Sequence, residues 1–243
     1  MPQLYQPQVF GEAAVFILRN TKERVNDRNM NQVDLSLYMI TDSEGLEEPD
    51  FLSRVEKALA AGVTLLQLRE KERDSRSLYE LAKKVNELAA SYGVPLIIDD
   101  RVDIALAVDA AGVHVGKRDL LVSEARRLMG AGKIVGATAK TVEQAIDATL
   151  QGADYLGVGA IYPTTTKVIT VLTPVKTLAD ICRTVEIPAV AIGGLNAGNL
   201  QVLKGAGMAG IAVVSAIMKA DNVSAAVKEL LGASAEACKE DAL

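Results

Sequence analysis

Histidine occurs once in this 243-residue chain and cysteine twice, and neither sits at metal-ligand spacing. A lone His114 cannot build a His-based zinc site, and no Ser-His-Asp or Cys-His arrangement stands out to mark a covalent hydrolase. Cys182 and Cys238 are too few for a disulfide framework in a chain of this size, so both read as reduced structural thiols of a cytoplasmic protein. No run of ~20 apolar residues is present to form a membrane-spanning helix. The first residues carry Glu12, Glu23 and Asp27 among their basic side chains and have no long apolar core, which disfavours a signal or transit peptide. A net charge of −5 without a long Lys/Arg block argues against a broad nucleic-acid surface, so any anion site must be local. No Gly-x-Gly-x-x-Gly follows the first strand-like run, which lowers the case for a dinucleotide enzyme.

What the chain does have is alternation. Strand-like runs recur at Leu35 to Thr41, Val63 to Arg69, Pro95 to Asp99, Gly112 to Val115, Ile134 to Ala139, Tyr155 to Ile161, Ala189 to Ile192 and Gly210 to Val214. Each is followed by a helix-compatible stretch. The first opens at Glu48-Pro49-Asp50, continues with Phe51, Val55 and Leu59 at helical spacing, and stops at Gly62. Several strands are nearly continuous apolar runs, as expected when both faces are covered. Eight such repeats, with 49% hydrophobic content and a length near the ~250 residues of a β/α barrel, predict an α/β fold: a single (β/α)8 TIM barrel over residues 34–232. An open doubly wound sheet remains the alternative, because periodicity does not distinguish it from a closed one. Residues 1–33 read as an N-terminal extension, with an amphipathic helix over Gly11 to Val25 and a polar linker over Asn26 to Gln32. Residues 233–243 read as a C-terminal tail.

In a parallel barrel all strand ends face one mouth, so chemistry-bearing residues at those ends converge. Arg69 and Lys71, two apart after the second strand, share a face and could present a planar fork and a point charge to one polyphosphate. A solvated pair neutralised by Glu70 and Glu72 would explain them as well. Gln67 on the same face can donate and accept together, which suits a heterocycle bearing an amine. Asp99 and Asp100 end the third strand and Asp119 follows the fourth; Asp100 with Asp119 makes a reasonable Mg²⁺ site, and capping or salt-bridge roles are the alternative. Thr164, Thr165, Thr166 and Lys167 follow the sixth strand and offer hydroxyls and an ammonium to phosphate. Gly193 and Gly194 after the seventh strand, with Val214 and Ser215 at the opening of a short helix after the eighth, are placed like the barrel phosphate site of the last two loops. His114, inside Val113-His114-Val115, reads as structural.

Taken together, Gln67-Leu68-Arg69-Glu70-Lys71, Asp99-Asp100, Gly112-Val113-His114-Val115-Gly116, Asp154-Tyr155-Leu156-Gly157-Val158-Gly159, the Pro-Thr-x-Thr-Lys stretch and Ile192-Gly193-Gly194 strongly resemble the thiamine-phosphate synthase family, from about Leu35 to Lys219. The resemblance implies that 4-amino-2-methyl-5-(diphosphooxymethyl)pyrimidine is joined to a thiazole phosphate, or its carboxylated form, with release of pyrophosphate. By that resemblance Gln67, Arg69, Lys71, Asp99, Thr138 and Lys167 hold the pyrimidine diphosphate, and Arg69, Lys71, Thr138 and Lys167 are catalytic. Asp100 and Asp119 bind Mg²⁺, while Thr164, Thr166, Gly194, Val214 and Ser215 bind the thiazole phosphate. Three positions depart from the family pattern: Asp99 stands where Asn is typical, Thr138 replaces Ser, and Lys140 replaces a frequent His and becomes a candidate pyrophosphate contact. Val168 to Leu172 is more apolar than the family leads one to expect. The related thiazole tautomerase branch and a non-catalytic phosphate-ligand-binding barrel are the competing readings. The expected partners are these small molecules, without nucleic acid or membrane, and a second copy of the chain as a candidate homo-oligomer.

Overall fold

Eight parallel strands, β1 (Leu37–Ile40), β2 (Leu65–Leu68), β3 (Leu96–Asp99), β4 (Gly112–Val115), β5 (Ile134–Ala139), β6 (Tyr155–Gly159), β7 (Ala189–Ile192) and β8 (Gly210–Val213), pair in sequence order. The computed structural model describes residues 33–164 and 171–239. The strand β1 pairs with β8 as well as β2, with Leu37 opposite Ile211 and Tyr38 opposite Leu65, so the sheet closes and the open-sheet alternative is excluded. The expected helix over Gly11 to Val25, the linker over Asn26 to Gln32, and Thr165, Thr166 and Lys167 lie outside the described residues.

Helices α1 (Glu48–Ala61), α2 (Ser75–Ser91), α3 (Val102–Ala107), α4 (Val122–Met129), α5 (Val142–Leu150), α6 (Val175–Thr184), α7 (Ser215–Met218) and α8 (Val223–Ala237) supply the outer layer. In α1, acidic Glu48 and Asp50 complement the helix dipole in the first turn, and the Gly62 N–H caps the last carbonyls. Phe51, Val55, Ala58 and Leu59 form its buried face, each large side chain contributing about 1.5–3 kcal/mol. Asp74, Thr141 and Asn222 cap α2, α5 and α8 through their side-chain oxygens.

Two expectations are corrected. Between β7 and β8 stands a single 3₁₀ turn, Leu200–Leu203, not an α-helix. Asn196 and Asn199 lock the preceding turn through Asn196 N–H to Asn199 Oδ1 (2.9 Å) and Gly198 N–H to Asn196 Oδ1 (3.0 Å), and Gly205 soon follows, so only one turn fits. At the other end, α8 runs on to Ala237 through the boundary expected at residue 232. Buried Ser234 donates to the Ser36 carbonyl (2.7 Å), which ties this last turn to the segment entering β1.

Strand alternation sorts the core. Leu37, Met39, Leu66, Leu68, Ile98 and Val113 join the apolar layer between sheet and helices. The intervening residues, among them Tyr38, Gln67, Asp99, His114, Thr138 and Tyr155, face the lumen. The clearest sign is a 2.8 Å hydrogen bond between the hydroxyls of Tyr38 and Tyr155, on the non-neighbouring strands β1 and β6, which can form only across the barrel interior. Gly136 makes that filling possible: a Cβ there would meet Tyr155 Cζ at 2.2 Å.

Candidate active site

The carboxyl ends of β2 to β5 bring their charged residues together. Thr41, buried at the end of β1, accepts from the Arg69 N–H just after β2 (3.0 Å), which fixes where the Arg69–Lys71 segment leaves the barrel. Lys71 Nζ lies 2.6 Å from Asp99 Oδ2 and also bonds Asp100 Oδ2, while Arg69 Nε stands 3.8 Å from Asp99. Burial alone would lower the Lys71 ammonium, but the Asp99 charge and the close contacts with both carboxylates raise its pKa above the ordinary value. It therefore remains charged. The Lys71–Asp99 contact is electrostatic and not an aligned hydrogen bond: Asp99 Oδ2 is buried and has no hydrogen-bond partner among the described residues.

Glu70 does not neutralise Arg69 or Lys71. It accepts from Ser43 Oγ (2.8 Å) and Arg73 Nε (3.2 Å) instead, and the carboxylates facing Lys71 come from β3. Asp100 takes the left-handed backbone conformation, φ 58°, which Asp tolerates better than most residues, and its N–H bonds the His114 carbonyl (2.9 Å). That turn re-aims the chain between Asp99 and Asp100, so both carboxylates reach Lys71.

Asp119 closes the group. Its Oδ2 accepts from the Gly116 N–H (2.8 Å). Burial raises its carboxyl, and a hydrogen bond that it donates to the neighbouring Asp100 carboxylate raises it further. Burial pushes Asp100 the same way, but bonds to Lys71 and Asp119 outweigh it and hold this carboxyl below its usual range. Two carboxyl groups from the loops after adjacent strands thus meet, and their opposite shifts follow from that contact. Among the described residues no three or more His, Cys, Asp or Glu side chains gather as a metal cluster, so an ion here would need oxygens from water or substrate to complete its shell.

On β5, Thr138 Oγ1 lies 3.0 Å from His114 Nε2. Lys140, just beyond, donates to the carbonyls of Gly159 (2.6 Å) and Val171 (2.9 Å), directing its ammonium at the loop that follows β6. Gly193 and Gly194 have φ of 100° and 65°, and a Cβ on Gly194 would stand 2.6 Å from the Pro163 carbonyl oxygen. Their glycines are thus required by contact of the β7 loop with the β6 loop, a reason the sequence did not disclose. Gly194, Val214 and Thr164 are partly accessible and Ser215 is exposed, at the ends of β6, β7 and β8. The residues missed from sequence are Tyr38 and Tyr155, and His114 does more than fill space: it touches both Tyr155 and Thr138. The signal that would have found them is their place, by alternation, on the lumen face shared with Gln67 and Thr138.

A closed parallel barrel with cations, carboxylates and a hydroxyl gathered at one mouth, and open backbone turns at its last strands, defines a phosphate-handling (β/α)8 enzyme. The family model described as thiamine monophosphate synthase matches residues 37–217. The chain is 50% identical over 202 residues to thiamine-phosphate synthase 2 of Streptococcus pneumoniae, covering 83% of this chain and 96% of that protein. It is 51% identical over 197 residues to thiamine-phosphate synthase of Enterococcus faecalis, covering 81% and 93%. The solved thiamine phosphate pyrophosphorylase of Pyrococcus furiosus superposes with a TM-score of 0.77 at 37% identity, over 86% of this chain and 99% of that one. The chain belongs to the thiamine monophosphate synthase family of transferases.

Both cysteines are free, and burial pushes the Cys182 thiol up to about 11, in keeping with inert structural thiols. Among the described residues no helix is long and apolar enough to cross a membrane.

Proposed function

We propose that this chain joins an aminopyrimidine methyl diphosphate to a thiazole phosphate in the cytoplasm, releasing pyrophosphate and forming thiamine phosphate. The observation that carries the reading is the meeting of Arg69, Lys71, Asp99, Asp100 and Asp119 around one opening. Arg69 and Lys71, with Lys167 from the following loop, hold the diphosphate, and Gln67, Asp99 and Thr138 orient the pyrimidine portion. Thr164, Thr165 and Thr166 with the backbone at Gly193, Gly194, Val214 and Ser215 receive the thiazole phosphate. Lys140 serves this site by steadying the β6 loop through two carbonyls, and its ammonium remains near enough to the mouth to be tested as a pyrophosphate contact.

Asp100 and Asp119 suit Mg²⁺, because like-charged carboxyls in hydrogen-bond contact need either a shared proton or a cation between them. When bound, the ion would offset charge developing on the departing diphosphate. The carbon–oxygen bond breaks with its electron pair leaving on pyrophosphate, and the amino-substituted ring stabilises the resulting cation. The thiazole nitrogen lone pair then forms the new carbon–nitrogen bond. No protein nucleophile is required. Arg69, Lys71 and Lys167 act by fixed electrostatics, and loss of any one should slow turnover by roughly 10²–10³-fold.

The test is to mix purified protein with both substrates and Mg²⁺ and to look for thiamine phosphate by mass. Product that disappears with a chelator and returns with added Mg²⁺ is the expected result. Binding of both substrates without product at any Mg²⁺ concentration would overturn the reading.

A further inference from the structure

Gln67 on β2 and Thr138 on β5 are joined by an unbroken run of hydrogen bonds through the lumen. Gln67 Nε2 donates to Tyr38 OH (2.5 Å), Tyr38 OH lies 2.8 Å from Tyr155 OH, Tyr155 OH lies 3.1 Å from His114 Nδ1, and His114 Nε2 lies 3.0 Å from Thr138 Oγ1. Each link has a sense. An amide NH₂ only donates, so Tyr38 accepts from Gln67 and has one hydrogen to pass onward. Tyr155 accepts that hydrogen bond and passes its own to His114 Nδ1. A neutral imidazole that accepts at Nδ1 carries its hydrogen at Nε2, which then donates to Thr138.

We infer that Tyr38, Tyr155 and His114 form one directed hydrogen-bond chain that holds His114 as its neutral Nε2–H tautomer, leaves the Thr138 hydroxyl hydrogen to donate, and leaves the Gln67 carbonyl oxygen to accept. Both phenols are 1% exposed, so neither has water as an alternative partner. Burial raises both phenols well above their ordinary pKa, so each keeps the hydrogen it must pass. The chain also makes Tyr38 a specificity-determining residue. Pinned by Tyr38, the Gln67 amide offers its oxygen to a ring amine and opposes a ring carbonyl at the same place. This consequence rests on the substrate reading above, whereas the tautomer does not.

His114 is the only histidine of the chain, so its ¹⁵N ring signals are assigned without ambiguity. The experiment uses substrate-free protein in alkaline solution, where the imidazole is neutral. The wild type should show a protonated, pyrrole-like Nε2 and a pyridine-like Nδ1 displaced by the hydrogen bond it accepts. Because a free imidazole also prefers Nε2–H, Tyr155→Phe is the decisive variant. It keeps the ring against Gly136 and removes only the hydroxyl, so Nδ1 should move to the position of a bare pyridine-like nitrogen. Hydrogen on Nδ1 in the wild type, or an Nδ1 signal unmoved in Tyr155→Phe, would overturn the chain. For specificity, Tyr38→Phe should reduce the binding preference for the aminopyrimidine diphosphate over its oxo analogue by at least about tenfold. An unchanged preference would overturn the role given to Tyr38 while leaving the tautomer result standing.

Discussion

Replacing Lys71 by alanine separates an electrostatic role in turnover from a role in folding. In the folded protein the ammonium is shared by Asp99 and Asp100, yet its side chain is 40% exposed. Exposed pairs contribute about 0–1 kcal/mol, so the ion pairs alone predict a small loss of stability. Removal takes the ammonium from between Asp99 and Asp100, beside Asp119, and leaves Arg69, 3.8 Å from Asp99, as a nearby cation among the described residues. Repulsion among the carboxyls can be relieved by uptake of a proton or a cation, which limits the loss to about 1 kcal/mol. For a domain of this size that is a melting shift of about 2–4 °C. The catalytic effect should be much larger. If Lys71 stabilises the departing diphosphate, Lys71→Ala lowers kcat/KM by roughly 10²–10³-fold, equivalent to about 2.7–4 kcal/mol of barrier. The half-saturating Mg²⁺ concentration should stay level or fall, because two carboxylates lose a competing cation. Steady-state formation of thiamine phosphate across a Mg²⁺ series, with thermal unfolding of the same preparations, measures all three quantities. A rate within threefold of wild type, or a rate loss accounted for by unfolded protein, would refute the reasoning.

Asp100→Asn and Asp119→Asn should each raise the Mg²⁺ concentration needed for half-maximal rate by at least about tenfold, with little change in melting temperature; an unchanged Mg²⁺ dependence would remove that residue from the proposed metal site. Gly136→Ala forces a methyl into the Tyr155 ring at 2.2 Å and should destabilise the barrel by about 1–3 kcal/mol in denaturant titrations, so a neutral result would contradict the packed lumen. Lys140→Ala removes two charge-assisted bonds to carbonyls; about 1.5 kcal/mol of lost local stability predicts roughly tenfold faster amide exchange at Thr173, whose N–H bonds the Ala160 carbonyl in the tethered loop (2.8 Å). Exchange at the wild-type rate would show that Lys140 does not hold this loop.

Strand and helix order was legible because apolar runs and helical spacing are local properties. Phe51, Val55 and Leu59 mark a buried face from sequence alone, and Gly62 marks its end. The connection after β7 was misread because the turn locked by Asn196 and Asn199 takes up length that helical pattern alone assigns to a helix. The motif residues Arg69, Lys71, Asp100 and Asp119 were legible as candidates since strand ends in a parallel barrel share one side. The reason Gly193 and Gly194 are glycines was not, because Ala160 and Pro163 crowd them from another loop.

By itself the sequence determined the repeating strand–helix order and the set of charged groups placed at strand ends, both of which depend on neighbours along the chain. Only the tertiary structure decided which of those groups meet. Pairing of β1 with β8 encloses a lumen, and within it Tyr38 touches Tyr155 although 117 residues separate them. The tertiary structure also decided that Lys71 faces the β3 carboxylates and not Glu70, because the direction of a side chain at a strand end is set by the turn beyond it and by what the adjacent strand presents.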